Sequence, residues 1–379
     1  MTGRIVFLNN QGLASFGGGV TILRHLVSDL ARDHAVTVAS YDPPAPGWEA
    51  VYQVTLPPAP PAGRLWRLAP MLRARHLLRV GPHETIEAAD LVVALDCHFA
   101  LLLRRARPRR LIYLSLSCIP RQEWFGGSGL LAFPQNVWLE RSVAAAAGTV
   151  MVSSAIHAAE LRRFSVLPSV RPAVMHPVFP AEGPVGTATR ADVPIILAAG
   201  RLEPVKNFAA IIAIAERLRD LPCRFVILGD GPLAADLRAR VSAAHLQDRV
   251  CFAGSVGDIR SALAGASLFL HPSCYESFGM AVFEAMLAGV PPIIARDAPI
   301  GCGEILQDGV NGCRADYGSP DAAAAAIRAL LMDAGRRTAM GQAARAAAER
   351  ALAGDYVGTF RRMATGLLAG EARRSGSVG

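Results

Sequence analysis

Lysine is all but missing from this chain. Of 39 basic residues in 379, only Lys206 is a lysine. An amine therefore has one address, within Gly200-Arg201-Leu202-Glu203-Pro204-Val205-Lys206-Asn207. Aromatic residues are few, at 6%, and no nucleic-acid-binding module is recognisable, which puts nucleic acid last among partner classes. No run of about 18 apolar residues occurs, so nothing reads as a membrane span. The seven cysteines, at 97, 118, 223, 251, 274, 302 and 313, form no Cys-x-x-Cys pair. Such a set argues against a disulfide framework or a zinc site, and for the reduced thiols of a cytoplasmic protein. Gly3 to Asn10 reads as a strand entering a loop, not as a secretion signal.

What is present is alternation. Strand-like runs Ile5–Leu8, Val36–Ser40, Leu91–Leu95, Leu111–Leu114 and Thr149–Val152 are separated by helical stretches rich in Ala, Leu and Arg. The second half repeats the pattern with Ile195–Ala199, Arg224–Leu228, Val250–Phe252, Leu268–Leu270 and Pro292–Ala295. That pattern means parallel sheets covered on both faces. The length suits two domains, and Phe179 to Thr189 has linker composition. The expected class is α/β, with two doubly wound Rossmann-like domains, 1–183 and 190–354, facing a central cleft. A C-terminal helix over 355–379 is expected to pack back on the first. The alanine-rich run Asp321 to Ala353 reads as two surface helices.

Lys206 stands after the apolar run Val193 to Ala199 and before Phe208, Ile211, Ile212 and Ala215, which recur at helical spacing. The loop thus lies at the carboxyl end of a strand and leads into a helix, where α/β sheets bind anions. A compact ammonium suits a phosphate there; a solvated lysine on an ordinary turn is the plainer reading. Phe16-Gly17-Gly18-Gly19 precedes a helix from Val20 to Ala31, and its glycines would let backbone approach a phosphate. It lacks the dinucleotide fingerprint, although Asp42 falls near the place of that motif's acid. The segment His271 to Pro291 holds Glu276 on a loop and Glu284 inside a short helix from Gly279 to Ala288, closed by Gly289. Between them Gly279 and Met280 offer free amides. Carboxylates at a helix start are ordinary caps, but two of them bracketing an amide cradle suit a ligand bearing both phosphate and hydroxyls.

Gly200-Arg201-Leu202 with Lys206-Asn207, followed by Glu276 and Glu284 with seven residues between them, resembles the family-4 retaining glycosyltransferases of GT-B fold. Leu228-Gly229-Asp230-Gly231-Pro232, Phe252-Ala253-Gly254-Ser255-Val256, Gly303-Glu304-Ile305-Leu306 and Asp308-Gly309-Val310-Asn311-Gly312 support it in order. The likeness covers about residues 195–315, and the first half matches only through its glycine loop. The resemblance implies a donor nucleoside-diphosphate sugar whose diphosphate is met by Arg201, Lys206, the amides from Phe278 through Gly279 and Met280 to Ala281, and the loop at Gly18 and Gly19. Glu284 would bind the ribose, Glu276 the transferred sugar, and backbone near Val256 the base. Two cations and a helix dipole aimed at the leaving phosphate make a divalent metal unnecessary, so neither cofactor nor metal is expected. His176-Pro177-Val178 tilts the donor toward GDP-mannose, with a UDP-sugar next.

One departure concerns the first domain, where the family places a histidine near the sugar. Here Leu111 to Pro120 has Ser117 at that place, and His98, after the preceding strand, is the candidate substitute. The first half is also the more basic, with 18 Lys+Arg against 12 Asp+Glu in residues 1–185. Arg104-Arg105-Ala106-Arg107-Pro108-Arg109-Arg110 suits nucleic acid, an anionic lipid surface, a diphosphate-bearing substrate or a solvated helix end. Arg64 to Arg79 mixes arginine with bulky apolar residues, but Pro70 interrupts it and its arginines share no face. Trp124, Phe125, Leu130, Leu131, Phe133 and Trp138 could line an acceptor cleft. The expected acceptor is a glycan or lipid-linked glycan of polysaccharide biosynthesis, met in the cytoplasm at the inner face of the cell membrane. Another GT-B enzyme, such as a nucleotide-sugar epimerase or a phosphorylase, and a non-catalytic partner subunit are the competing readings.

Overall fold

The computed structural model describes residues 2–9, 13, 18–41, 48, 51–56, 69–118, 129–165, 170–179, 193–256 and 259–370. The chain divides into two compact units. The first comprises Met1–Val152, Ala158–Met175 and Asp355–Gly379; the second comprises Ser153–His157 and His176–Gly354.

In the first unit, β1 (Arg4–Leu8), β2 (Ala35–Ser40), β3 (Tyr52–Thr55), β4 (Leu91–Ala94), β5 (Leu111–Ser115), β6 (Thr149–Val152) and β7 (Ala173–Val174) form one parallel sheet in the order β3-β2-β1-β4-β5-β6-β7. β1, β4 and β5 are apolar and buried on both faces, as central parallel strands must be when helices cover them. The helices used below are α1 (Gly18–Leu30), α2 (Gly129–Ala146) and α3 (Ala155–Ser165). The C-terminal helix Tyr356–Ala369 does lie in this unit, against α1. Phe360 approaches Phe7 to 6.3 Å between ring centres, and Arg361 Nε donates to Asp29 Oδ2 at 2.7 Å.

The second unit repeats the plan with β8 (Ile195–Ala199), β9 (Arg224–Leu228), β10 (Val250–Gly254), β11 (Leu268–His271), β12 (Pro292–Ala295) and β13 (Cys313–Ala315), parallel in the order β10-β9-β8-β11-β12-β13. Helices α4 (Ala209–Arg217) and α5 (Met280–Leu287) follow β8 and β11. In both sheets the order reverses beside the first strand: between β1 and β4, and between β8 and β11. Loops leaving neighbouring strands there run to opposite sides, which opens a crevice at their carboxyl ends. The alanine-rich run forms two helices, Pro320–Met332 and Ala334–Leu352, which bury Ile327, Leu330, Met340 and a row of alanines.

Several expectations need correction. The first domain does not run unbroken to 183. Residues 153–157 and 176–179 belong with the second unit, because Ser154 and Ile156 bond to Ser277 and Glu304, and Val178 enters the second core. Linker composition does not say which core its flanks join. β3, β7 and β13 were not expected; they are short edge strands without an apolar run. Pro70 does not interrupt a helix but opens one, Pro70–Val80, where its missing N–H costs nothing. Phe16, Gly17, Asp42, the 64–68 part of the Arg64–Arg79 stretch, Trp124, Phe125 and most of the 179–189 linker lie outside the described residues.

Candidate functional site

Lys206 leaves β8 on a short 3-10 turn, Pro204–Lys206, which ends at Asn207 in the left-handed region (φ 52°), a conformation asparagine tolerates. Behind it the chain is drawn tight. A Cβ on Gly229 would lie 1.9 Å from the Gly200 carbonyl oxygen, and one on Gly231 would lie 2.7 Å from the Leu202 backbone. Gly200 N donates to Leu228 O at 3.0 Å and Leu202 N to Asp230 O at 2.9 Å. The glycines after β8 and β9 therefore let two loops run backbone to backbone, which fixes the position of the lysine turn.

Glu276 arrives from the neighbouring strand, β11. Cys274 N donates to Val205 O at 2.8 Å and so ties its loop to the lysine turn. Glu276 N donates to Pro299 O and Gly301 N to Glu276 O, each at 3.1 Å. Gly301 is required because a Cβ there would lie 2.3 Å from Ser277 O. Between these clamps Lys206 Nζ donates to Glu276 Oε1. Ser273 Oγ donates to the same oxygen at 3.2 Å, and His271 Nε2 lies 3.1 Å from it without aligned hydrogen-bond geometry. Burial alone would push the Glu276 carboxyl up; the Lys206 ammonium, with His271 beside it, instead holds it well below the usual carboxylate range. Glu276 is an anion at any physiological pH.

Beside this pair Gly279 (φ 99°) caps α5, and its carbonyl accepts from Val282 and Phe283. The amides of Met280 and Ala281 come first in the helix and have no acceptor within it. Gly289 (φ 74°) closes the helix after Ala288, as its glycine suggests. Glu284 stands one turn inside α5, partly exposed, and Val256 packs on the second core after β10. Arg201 lies apart from the cluster's hydrogen bonds: its side chain is 66% exposed and its Nε lies 2.7 Å from Glu203 Oε1.

In the first unit Gly18 and Gly19 are the opening residues of α1. His98 lies after β4, at that sheet's switch point, but it is buried and committed: both its ring Nδ1 and its backbone N–H bond to Asp96 Oδ1. Ligand atoms of Asp96, Cys97 and His98 lie within 4.8 Å of one another. Burial pushes the Cys97 thiol well up, and Asp96 caps this turn by accepting from the His98 N–H. Ser117 Oγ is buried without a hydrogen-bond partner among the described residues. Of the apolar stretch, Leu131 and Trp138 are exposed on α2, where Arg104 stacks 5.7 Å over the Trp138 ring. The arginine cluster is the exposed end of a helix, Ala100–Ala106, and the turn after it.

The sequence reading missed several groups. Glu140, inside α2 and fully buried, accepts from Tyr113 OH; burial pushes its carboxyl up to about 8. Asn136, one turn earlier, is fully buried, and neither amide atom has a hydrogen-bond partner among the described residues. His271, beside Glu276, was also missed, as was the pairing of His176 with Glu304, which joins groups 128 residues apart.

A family model described as glycosyl transferases group 1 matches residues 185–347. The lipopolysaccharide core biosynthesis glycosyltransferase LpsE of Rhizobium meliloti is 30% identical over 154 residues, 41% of this chain and 44% of that protein. The D-inositol 3-phosphate glycosyltransferase of Xylanimonas cellulosilytica is 33% identical over 208 residues, 52% of this chain and 49% of that protein. The chain thus spans about half or less of the length of these two relatives. A crystal structure of Anabaena HepE with UDP-glucose is 21% identical and superposes with a TM-score of 0.75 over 97% of this chain and 100% of that one. Residues 185–347 are thus similar to the group 1 glycosyl transferases, and the fold of the chain is GT-B.

Proposed function

We propose that the protein is a retaining hexosyltransferase that takes its sugar from a nucleoside diphosphate without a metal ion. The observation that carries this reading is the meeting of Lys206 and Glu276 beside the open amides of α5, at the switch point of the second sheet. Sugar transfer leaves growing negative charge on the departing diphosphate and positive charge on the anomeric carbon. The one ammonium of the chain and the positive end of α5 suit the first; the Glu276 carboxylate suits the second. Lys206 and Glu276 neutralise each other until a diphosphate competes for the lysine. Arg201 reaches the diphosphate by leaving Glu203, and an exposed pair of that kind holds it by only about 0–1 kcal/mol. Glu284 takes the ribose hydroxyls, and the backbone at Val256 faces the base.

His176 is already engaged by Glu304 and Phe278, so the His176-Pro177-Val178 turn needs no GDP-mannose to account for it. The HepE likeness brings a UDP-hexose beside GDP-mannose as donor. The acceptor is a glycan or lipid-linked glycan of polysaccharide biosynthesis, taken by the first unit. Exposed Leu131, Trp138 and Arg104 suit an anionic membrane surface there; flotation with anionic vesicles at low salt checks this, and absence of binding overturns it. No helix among the described residues is long and apolar enough to cross a membrane.

A thermal-shift screen of UDP, GDP, ADP and their sugars tests the donor reading. A ligand at about 100 times its Kd stabilises by roughly 2.7 kcal/mol. If none of them raises the melting temperature, the reading fails.

A further inference from the structure

Phe278 precedes the cap of α5, and its ring meets that of Phe283 at 5.9 Å between centres. An apolar residue before the cap packed on the fourth residue of the helix is a staple that sets the angle at which the chain enters. Near this staple lies His176, whose ring is 5.4 Å from that of Phe278 and tilted by 31°. His176 is itself held: its Nε2 lies 3.0 Å from Glu304 Oε2. The other oxygen of Glu304 accepts from Ile156 N at 2.7 Å, at the start of α3. Burial would raise the Glu304 carboxyl, yet the bonds from His176, Ile156 and the Ala155 backbone keep it below its ordinary value, so this anchor is charged. Phe278 O accepts from Cys302 N at 2.6 Å, and Ser154 Oγ donates to Ser277 O at 2.7 Å. The backbone of the loop is therefore clamped on one side, while its aromatic ring packs on both His176 and Phe283.

We propose that His176, oriented by Glu304, is a positioning residue of the donor site. Its ring backs the Phe278–Phe283 staple and so fixes where the Met280 and Ala281 amides point. The proposal rests on the donor reading above, in which those amides hold a diphosphate. Two sequence features otherwise without a role, the His-Pro-Val turn and the glutamate of Gly303-Glu304-Ile305-Leu306, acquire one task together. They set the geometry of an anion cradle that neither touches.

Calorimetric titration of UDP, GDP and ADP, and of the three monophosphates, tests it on the wild type, Lys206→Ala, His176→Ala, His176→Phe and Glu304→Gln. Losing alignment with one charged acceptor group is expected to weaken the diphosphate about tenfold in His176→Ala. The matching monophosphate, which does not reach the full cradle, should stay within about twofold of the wild type, well under 1 kcal/mol. His176→Phe keeps a ring on the staple and should recover most of the loss. Glu304→Gln, which keeps shape and loses charge, should fall between, and it carries the test if His176→Ala does not fold. Diphosphate affinity unchanged in His176→Ala or, failing that, in Glu304→Gln overturns the proposal, as does an equal loss for mono- and diphosphate. If the wild type binds none of the three diphosphates, the donor reading falls and this proposal with it. If Lys206→Ala alone weakens binding, the donor reading stands and only the role of His176 is lost.

Discussion

Lys206 and Glu276 are hydrogen-bonded across 70 residues of sequence, one from the loop after β8 and the other from the loop after β11. The pair is largely buried, with side-chain exposures of 22% and 13%. Neither charge can be removed without leaving its partner in a poor environment.

Replacing Lys206 by Ala should lower the transfer rate about 10²–10³-fold, by analogy with losing one donor to a developing anion. Lys206→Arg should also be costly, because a planar fork does not fill the place of a compact ammonium. Glu276→Gln should lose rate while keeping nucleotide affinity, and Glu284→Gln the reverse. Steady-state kinetics with nucleotide titration separates these cases. Near-wild-type turnover in both Lys206→Arg and Glu276→Gln would show that the pair is structural.

Activity should survive EDTA, because Lys206, Arg201 and the start of α5 supply the positive field. The check is turnover after exhaustive chelation. Loss that magnesium or manganese restores would falsify the assignment.

Glu140 should make the protein less stable as pH rises. Burial pushes its carboxyl up to about 8, above the ordinary value of 4.5, so the native state keeps a proton that the unfolded chain releases. Its contribution is full below the unfolded value and is lost through the window up to the folded one, with a slope approaching about 1.4 kcal/mol per pH unit. Glu140→Gln keeps an acceptor for Tyr113 OH and carries no titrating proton. Its melting temperature should therefore vary less than that of the wild type between about pH 5 and 8. Parallel curves for the two proteins would refute a protonated Glu140.

Gly229→Ala should destabilise the protein by about 3 kcal/mol or more, since its Cβ would meet the Gly200 carbonyl and the backbone has no room to give. Gly335→Ala serves as the opposite case. Its Cβ would be 3.5 Å from Asp333 Oδ1, an ordinary contact, and it lies in a helix. That change should stabilise by a few tenths to about 1 kcal/mol. Urea unfolding of both variants measures the contrast, and an equal effect would mean that the two loops are not packed as described.

Much of the second unit was legible locally. Apolar runs such as Ile195–Ala199 and Leu268–His271 are buried strands because both their faces must be covered, and short-range patterning records that need. Gly289 marked the end of α5, and a lone lysine beside a strand end marked the loop that meets Glu276. The roles of His98 and Arg201 were less legible. Exposure and pairing belong to three dimensions, so the sequence could not show Asp96 claiming His98 or Glu203 holding Arg201.

The amino-acid sequence by itself determined two doubly wound units, the loops at their switch points, and the residue types available there. These follow from periodicity, turn chemistry and composition, which act over a few residues. Only the tertiary structure decided that Lys206 neutralises Glu276, that Glu304 holds His176 against Phe278, and that Glu140 is buried with its proton. Each requires groups tens of residues apart to share a low-dielectric place. The energy of a charge or a polar group is set by what surrounds it, and no local pattern records that surrounding.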